Sequence, residues 1–264
     1  RDYAVTGVQT CALPISSYFN LRRTGVSLYQ NMLLMHPLGY LIIKLVEREE
    51  LYMSDFSQLI AQFNQTMHSH NREQAIKLVT EALESGAVDI RTLYEEVLAP
   101  YLNHISSNTQ DQEMPIWEEH VSSSIIRTAL EISFPYVLKE RNEKSPHSGE
   151  RNRALVLCLE EDYHELGARM TTDFLTILGF DAYFIGSNTP KKEIFRALDH
   201  FKPQLLCISV TNYYHLAKLH ALIEDLNTKT LKSSYQLVLG GYAIKHSTNV
   251  DKLLTADYYA NSYR

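Results

Sequence analysis

Residues 154–167 read A-L-V-L-C-L-E-E-D-Y-H-E-L-G. This stretch opens with an uninterrupted apolar run, which is typical of a strand that is buried on both faces of a parallel sheet. Asp162 and His164 follow the run and therefore fall in the loop at the carboxyl end of the predicted strand. In open α/β sheets, ligands bind at that edge. The stretch thus predicts an α/β fold with a candidate ligand site directly after its first strand.

Strand and helix patterns alternate along the rest of the chain. Later strands are predicted at residues 182–185, 205–210 and 237–239, with a short fifth strand near Tyr258 and Tyr259. Helical patterns separate them near residues 165–178, 190–201 and 213–227. This alternation predicts a Rossmann-like (flavodoxin-like) parallel sheet of five strands with helices on both faces. The third strand runs into Ser209-Val210-Thr211 and the fourth into Gly240-Gly241, so both ends should lie at the same edge as His164.

Four amphipathic helical patterns precede the α/β region. The third is expected to begin after Asp89 and to bend at Pro100, and the fourth is expected to begin near Pro115. Its apolar side includes Val121, and the single tryptophan, Trp117, is also expected to lie in the core. Four helices with short connections predict an up-and-down bundle.

The segment between these two regions, at residues 141–153, reads R-N-E-K-S-P-H-S-G-E-R-N-R. It contains no large apolar residue and has the composition of an exposed linker. We therefore predict a helical cap domain over residues 53–143, a linker over 144–153 and an α/β domain over 154–264.

The first 52 residues are expected to be a non-native leader. Val5–Ile15 resembles the translation of a sequencing-adapter oligonucleotide, and such segments are set aside before the fold is considered. The run E-R-E-E at 47–50, shortly before Met53, is what a ribosome-binding site read in frame would encode, so Met53 is the expected start. Whether the C-terminus is truncated stays open, because no helical pattern follows the fifth strand.

Composition limits the classes of function. Of the 264 residues, 45% are hydrophobic and 21% charged, and the formal net charge is −6. A negative chain lacks the basic face that direct nucleic-acid binding needs, and no apolar run reaches the roughly 20 residues of a membrane helix. Cys11, Cys158 and Cys207 show no C-x-x-C spacing. These features indicate a soluble, cytoplasmic protein that binds neither nucleic acid directly nor a membrane.

Three short motifs carry a specific resemblance. The chain has D-Y-H-E-L-G at 162–167, a gap of 41 residues, S-V-T at 209–211, a gap of 28 residues, and G-G at 240–241. Their order and spacing resemble the D-x-H-x-x-G, S-x-T and G-G fingerprint of the cobalamin-binding domain of methionine synthase and its relatives. The resemblance covers residues 150–260 approximately and implies that the chain binds a cobalamin, a cofactor of the vitamin B12 type.

In that family a histidine displaces the cofactor's own dimethylbenzimidazole and binds cobalt from below. The resemblance gives this role of lower axial ligand to His164, with Asp162 and Ser209 as the partners that orient its ring. The displaced nucleotide tail would then thread into the α/β domain. The resemblance assigns the entry of this tail to Gly167 and a hydrogen bond with the tail to Thr211. It assigns the space around the tail to Gly240 and Gly241.

The helical region carries a second resemblance. Glu119 and His120 match an E-H motif in the four-helix caps of light-sensing, cobalamin-dependent repressors, where the histidine can approach cobalt from above. Those repressors have a tryptophan ten residues before the glutamate, and this chain has Thr109 there. The resemblance therefore does not extend to the light response. His120 is either an upper axial ligand or a cap histidine that does not contact the metal.

These resemblances predict a sensor or regulator that holds cobalamin between the cap and the α/β domain and signals through a protein partner. The alternative is a corrinoid methyl carrier, which shuttles a methyl group between separate methyltransferases and has the same size and layout. A small subunit of an adenosylcobalamin mutase ranks third, because the cap argues against it. No catalytic domain is recognised, so a non-enzymatic cofactor-binding protein is expected.

Several points stay open in the sequence. They are the form of the cofactor (adenosyl-, methyl- or hydroxocobalamin), the nature of the partner (a regulator or a methyltransferase) and self-association into a homo-oligomer. Two further histidine pairs, His68 with His70 and His215 with His220, lack the i, i+4 spacing and the Cys or Asp partners of a zinc site. They are expected to be solvated or to cap helices.

Overall fold

The computed structural model describes residues 56–110, 115–146, 149–228 and 235–260. The predicted leader at 1–52, which includes Cys11, and the expected start at Met53 lie outside these residues. The side chain of Thr109 also lies outside the described part. Within it, no helix is both long enough and apolar enough to cross a membrane.

The described part of the chain begins with helices over residues 56–144, as the apolar spacing predicts. Its helices are α1 over residues 56–68, α2 (Arg72–Glu84), α3, which joins Ile90–Thr92, a π-helical stretch Leu93–Leu98 and Ala99–Gln110, and α4 (Ile116–Lys144). We call these four helices the cap. Their largest fully buried side chains include Phe63, Met67, Leu93, Tyr94, Ile125 and Ile126.

Polar side chains cap the N-termini of two of the cap helices. Asn71 accepts the backbone N–H of Gln74 at 3.0 Å, and Asp89 accepts that of Thr92 at 2.8 Å. Each satisfies an N–H group that has no partner inside its helix. Pro100 lies just after the π-helical stretch of α3. Such a wider turn is one of the usual ways in which a helix accommodates a local interruption of its hydrogen bonds.

The second part of the chain forms five parallel strands with helices between them. The strands are β1 (Arg153–Leu159), β2 (Asp181–Thr189), β3 (Leu205–Ser209), β4 (Gln236–Gly240) and β5 (Tyr258–Tyr259). The helices are α5 (Leu166–Ile177), α6 (Lys191–Phe201), α7 (Leu216–Thr228), α8 (Tyr242–His246) and α9 (Val250–Leu253), with a 3-10 turn at Tyr213–His215. The strand order is β2-β1-β3-β4-β5. The prediction of a helical region followed by a Rossmann-like parallel sheet is confirmed.

The register of the central strands aligns their carboxyl ends. Cys158 on β1 pairs with Ser209 on β3, and Ser209 pairs with Gly240 on β4. Because β1 lies between β2 and β3, the connections wind outward from it in opposite directions, and a crevice forms at this switch point. The fold therefore places the ends of β1, β3 and β4 side by side, at the position where such sheets bind ligands.

Helix α5 packs against the cap. Its side chains Leu166, Met170 and Ile177 belong to the same buried core as the cap helices. The hydroxyl of Tyr94 on α3 also donates a hydrogen bond to Asp173 Oδ2 on α5 at 2.8 Å. Since α5 begins directly after the loop that carries His164, the cap is held close to the candidate site.

Two side chains of α4 differ from the prediction. Trp117 is 59% exposed and Val121 is 37% exposed, although the helical pattern places both in the core. The buried residues of α4 begin at Ser122, so the first turn lies outside the packed part of the bundle. There the Trp117 ring lies beside His70, with 5.5 Å between ring centroids. The prediction that Trp117 is a core residue is wrong.

Candidate functional site

Asp162 anchors the loop after β1. Its side chain is fully buried, and its Oδ1 accepts hydrogen bonds from the backbone N–H of His164 at 3.2 Å and from the His164 ring nitrogen Nδ1 at 2.9 Å. Its Oδ2 accepts the backbone N–H of Thr211, just after β3, at 3.0 Å. Asp162 thus ties the loop after β1 to the loop after β3 and fixes the ring of His164 at the same time.

The carboxyl group of Asp162 is held in its charged form. Burial acts to raise its pKa, but the hydrogen bonds from the His164 ring, Thr211 N–H and His164 N–H together lower the pKa below its ordinary value. A charged carboxylate only accepts hydrogen bonds. The shared proton therefore lies on Nδ1 of His164, and Nε2 keeps its lone pair when the ring is neutral.

His164 combines a fixed ring with access to a ligand, because its side chain is 54% exposed. The hydrogen bond to Asp162 raises the pKa of His164, burial opposes this, and the charges of Asp162 and Glu119 raise the pKa further. Metal-ligating histidines usually donate their second ring nitrogen to a carboxylate in this way. The geometry agrees with the pairing that the sequence suggests, and cobalt ligation by His164 stays a prediction.

A cavity of about 1030 Å³ lies between the cap and the carboxyl ends of the central strands. This volume is at the upper end of the range of small-molecule sites, which is about 300–1,000 Å³. Every predicted site residue lines it except Asp162, which lies directly behind His164. The lining positions are Glu119 and His120 from the cap, and His164, Gly167, Ser209, Thr211, Gly240 and Gly241 from the α/β region.

Part of the cavity wall is the face of the sheet that α5 covers. Val156, Cys207 and Val238 contribute to this wall from three adjacent strands, and Met170 contributes from α5. Burial raises the pKa of the Cys207 thiol to about 12, so it is uncharged. The wall is therefore apolar, which suits an uncharged aromatic group such as the base of a nucleotide tail.

The two glycines after β4 differ in what requires them. Gly241 has φ +98°, and a Cβ there would lie 2.5 Å from the backbone oxygen of Val210 and 2.7 Å from its nitrogen. The fold itself thus requires glycine at 241. At Gly240 a Cβ would make only an ordinary contact of 3.5 Å with the Cβ of Ala260. The prediction that a missing side chain leaves room for a ligand therefore fits Gly240 better than Gly241.

The sequence assigns an orienting role to Ser209 and a ligand contact to Thr211. Ser209 lines the cavity, but in the described residues the hydrogen-bond partners of the Asp162 carboxylate are His164 and Thr211. Thr211 holds Asp162 through its backbone N–H, so any residue type other than proline could make this bond. The structure therefore shows the orienting contact at Thr211, and the roles proposed for Ser209 and the Thr211 hydroxyl stay predictions.

The cap contributes Glu119 and His120 to the cavity wall. Glu119 Oε1 accepts a hydrogen bond from the Ser123 hydroxyl at 2.8 Å, and its Oε2 lies 3.5 Å from Nε2 of His120. The His120 side chain is 72% exposed. Farther along α4, Arg127 forms an ion pair of 3.2 Å with Glu165, the residue before α5. The E-H motif thus faces the same cavity as His164, and upper ligation by His120 stays a prediction.

His215 belongs to this site, although the sequence analysis places it among solvated or capping histidines. Its side chain is 11% exposed, and its Nδ1 lies 3.6 Å from Asp162 Oδ2. The turn that carries it begins at Asn212, whose side chain accepts the N–H of Tyr214 at 3.0 Å. That turn folds the ring back against the loop after β1, so the prediction for His215 is wrong. An asparagine shortly after a strand end is the signal that could have indicated such a turn.

The chemistry of the available donors limits the kind of metal that this site suits. In the ranges that the structure describes, no group of three or more His, Cys, Asp or Glu side chains could hold a metal ion. The histidines that line the cavity, such as His120 and His164, do not form such a group. A site of this kind suits a metal that arrives with most of its ligands, as cobalt does in the corrin ring. The residues present therefore fit a corrinoid cofactor.

Comparisons with known proteins agree with this geometry. A family model described as a B12 binding domain matches residues 152–258, and a second model with the same description matches residues 59–133. Monomethylamine corrinoid protein 2 of Methanosarcina acetivorans is 23% identical over 190 residues, which cover 70% of this chain and 84% of that protein. Monomethylamine corrinoid protein 1 of Methanosarcina mazei is 25% identical over 169 residues, which cover 62% and 75% respectively.

A solved structure shows the same fold. The monomethylamine corrinoid protein of Methanosarcina barkeri superposes with a TM-score of 0.67 at 20% identity, over 78% of this chain and 93% of that one. The two B12 binding domain matches fall on the cap and on the parallel sheet, which together enclose the cavity. The chain therefore belongs to the family of cobalamin-binding proteins in which a helical cap precedes a Rossmann-like B12 binding domain, and its cofactor is a cobalamin.

Proposed function

We propose that this protein is a corrinoid methyl carrier in which His164 is the lower ligand of cobalt. The observation that carries the proposal is the buried Asp162 carboxylate, which holds Nδ1 of His164 at 2.9 Å beside a cavity shared by the cap and the sheet. When bound, cobalamin supplies a cobalt centre that accepts and gives up a methyl group. The protein partners of this carrier are methyltransferases.

The residues of the α/β region bind and orient the cofactor. Asp162 keeps the proton on Nδ1 of His164, so that Nε2 is the ligating atom. Gly167 and Gly240 leave space in the cavity wall for the nucleotide tail, and the apolar surface around Val156 holds its base. Ser209, Thr211 and Gly241 complete this wall.

The cap covers the other side of the cavity. It would keep water away from the cofactor, and Glu119 and His120 would face the cofactor from the cap, where His120 is a candidate second ligand. The ion pair between Arg127 and Glu165 and the hydrogen bond between Tyr94 and Asp173 hold the cap against α5. A methyltransferase would have to reach the cofactor past the cap, so these contacts are the ones that would have to open.

The carrier function is favoured over a sensor function by the proteins that this chain resembles. Both relatives described above are named as monomethylamine corrinoid proteins, and this chain covers 84% and 75% of their lengths. None of the proteins described above is named as a sensor or a photoreceptor. A methylated amine is accordingly the first methyl donor to test.

Absorbance spectroscopy tests the ligation. The protein, mixed with hydroxocobalamin, should show the spectrum of a histidine-ligated corrinoid, and His164→Ala should lose it. His220→Ala is the matched control, because His220 is a half-exposed histidine on α7 that does not line the cavity. An unchanged spectrum in His164→Ala would refute histidine ligation at this position.

Two measurements separate a carrier from a sensor. A carrier should gain label on its bound, reduced cobalamin from labelled monomethylamine in the presence of a methylamine methyltransferase. Its elution in gel filtration should not depend on the upper ligand or on light. If the adenosylcobalamin-loaded protein changes its oligomeric state on illumination, the sensor function is correct and the carrier function is not.

A further inference from the structure

The His215 ring presents an unpaired nitrogen to the buried carboxylate of Asp162. Its Nδ1 is buried and has no hydrogen-bond partner in the part of the chain that the structure describes. The nearest carboxylate oxygen, Oδ2 of Asp162, lies 3.6 Å away. This separation is slightly beyond a hydrogen bond, and a small rotation of the ring would close it. A buried polar nitrogen left without a partner is unfavourable, so this contact has a physical reason to form.

Asp162 has the capacity for this extra bond. Each carboxylate oxygen can accept two hydrogen bonds, and Oδ1 already accepts two from His164, through its backbone and its ring. Oδ2 accepts one, from Thr211 N–H. One acceptor position on Oδ2 therefore remains, and His215 Nδ1 is 3.6 Å from this oxygen.

The turn that carries His215 is itself fixed in place. The backbone N–H of His215 donates to the carbonyl oxygen of Asn212 at 3.0 Å, which sets the turn after β3. Three residues farther on, Lys218 forms an ion pair with Glu161, the neighbour of Asp162. The loops after β1 and β3 are thus held together on both sides of the Asp162 carboxylate.

We propose that His215 is a positioning residue for the cobalt ligand. Its Nδ1–H donates a hydrogen bond to Oδ2 of Asp162 and so fixes the direction in which Oδ1 of Asp162 holds the His164 ring. The proposal rests on the proposed ligation of cobalt by His164. Asp162 would then lie between two imidazole rings, and its carboxylate plane would be set by His215 and Thr211 together. Loss of His215 should leave the carboxylate less firmly held and the His164 ring less well oriented.

Three substitutions separate this role from simple packing. The amide nitrogen of Asn can occupy the place of Nδ1, whereas that of Gln reaches the place of Nε2, and Leu fills space without donating a hydrogen bond. We therefore compare His215→Asn, His215→Gln and His215→Leu in the whole chain, loaded with cobalamin and reduced to Co(II). The readout is the electron paramagnetic resonance spectrum of Co(II) in protein whose histidines carry the heavy nitrogen isotope. The label changes the nitrogen splitting of this spectrum only if a histidine nitrogen is bound to cobalt.

The expected result is a graded loss of histidine ligation. His215→Leu and His215→Gln should lower the ratio of histidine-ligated to other bound cobalamin by about tenfold, the size typical of losing a residue that orients a metal ligand. His215→Asn should restore most of it. If Asn and Gln behave alike, or if Leu matches the wild type, His215 is not a positioning residue.

Folding and the proposed function are controlled separately. Thermal unfolding followed by circular dichroism shows whether each variant folds, and if His215→Leu does not, the comparison of Asn with Gln decides alone. Absence of the histidine splitting in the wild type would overturn both the ligation by His164 and the role of His215. Its presence in the wild type and, unchanged, in all three variants would overturn only the role of His215.

Discussion

The adjacent glycines at the end of β4 show how one motif can combine two requirements. A Cβ on Gly241 would overlap the backbone of Val210, whereas a Cβ on Gly240 would make only ordinary contacts with the Cβ and the backbone oxygen of Ala260. Substitution at 241 would therefore disturb the packing of the turn against the residue that follows β3 before it affected any ligand. Gly240 is the better position at which to probe the space available to the nucleotide tail.

We predict that Gly241→Ala destabilises the folded protein strongly. Gly241 has φ +98° and ψ 171°, a backbone conformation that essentially only glycine adopts. This conformation costs another residue roughly 1–3 kcal/mol, and overpacking against a rigid backbone costs roughly 1–3 kcal/mol more, so the free energy of unfolding should fall by roughly 2–6 kcal/mol. Urea denaturation of the cofactor-free protein measures this change. The control is Gly86→Ala, where φ is +71° and nothing lies within 4 Å of the added carbon. Equal losses in the two variants would show that the overlap with Val210 has no effect.

At the scale of single residues, the sequence also predicts the positions of some site residues and not of others. Asp162 and His164 are two residues apart after a clear strand, so their proximity follows from local chain geometry alone. His215 lies 51 residues beyond His164 in the chain. Its burial depends on the turn at Asn212 and on the pairing of β1 with β3, neither of which a search for metal-ligand spacing can detect.

At the scale of elements, the contact between α5 and the cap contains a carboxyl group with an unusual pKa. Burial raises the pKa of Asp173 to about 6, and the charge of Glu131 adds to this, whereas the hydrogen bond from Tyr94 and the charge of Arg169 oppose it. The pKa of an aspartate in an unfolded chain is about 3.9. The folded state therefore binds this proton more tightly than the unfolded state does.

This difference predicts that the free energy of unfolding falls as the pH rises from about 4 to about 6. Asp173→Asn can still accept the hydrogen bond from Tyr94 but carries no charge. The variant should match the wild type near pH 4 and exceed its free energy of unfolding by roughly 2 kcal/mol at pH 7. Urea denaturation between pH 4 and pH 8 measures both. Glu84→Gln, at an exposed carboxyl group on α2, is the control for removing a carboxylate. A difference between Asp173→Asn and the wild type that stays the same from pH 4 to pH 8 would contradict the role of Asp173.

The helices also show the limits of periodicity. Apolar spacing locates α2 and α4 because most of their apolar residues do face the core. It fails at Trp117, since the first turn of α4 is exposed although its apolar residues continue the helical pattern. The π-helical stretch of α3 likewise has no signature beyond the proline that follows it.

At the scale of the whole molecule, the fingerprint predicts which strand ends meet, because parallel strands bring their carboxyl ends to one edge. The packing of α4 on α5 could not be predicted in the same way. A helical pattern identifies the apolar side of a helix but not the partner of that side, and here the partner is the helix that begins at the ligand loop. The cavity therefore depends on both regions, and a cofactor that fills it should stabilise both.

Hydrogen exchange tests this dependence. Cobalamin should slow amide exchange in residues 116–130 of α4 and in residues 236–246, because both segments line the cavity and a ligand that binds the folded state suppresses local opening. Cobinamide, which has the corrin ring but no nucleotide tail, should slow exchange in the α4 segment and leave residues 236–246 almost unchanged. This contrast is expected only if the tail occupies the wall near Gly240 while the ring lies beneath the cap. Equal protection of residues 236–246 by both compounds would show that the tail lies elsewhere, and absence of protection in α4 would show that the cap does not cover the ring.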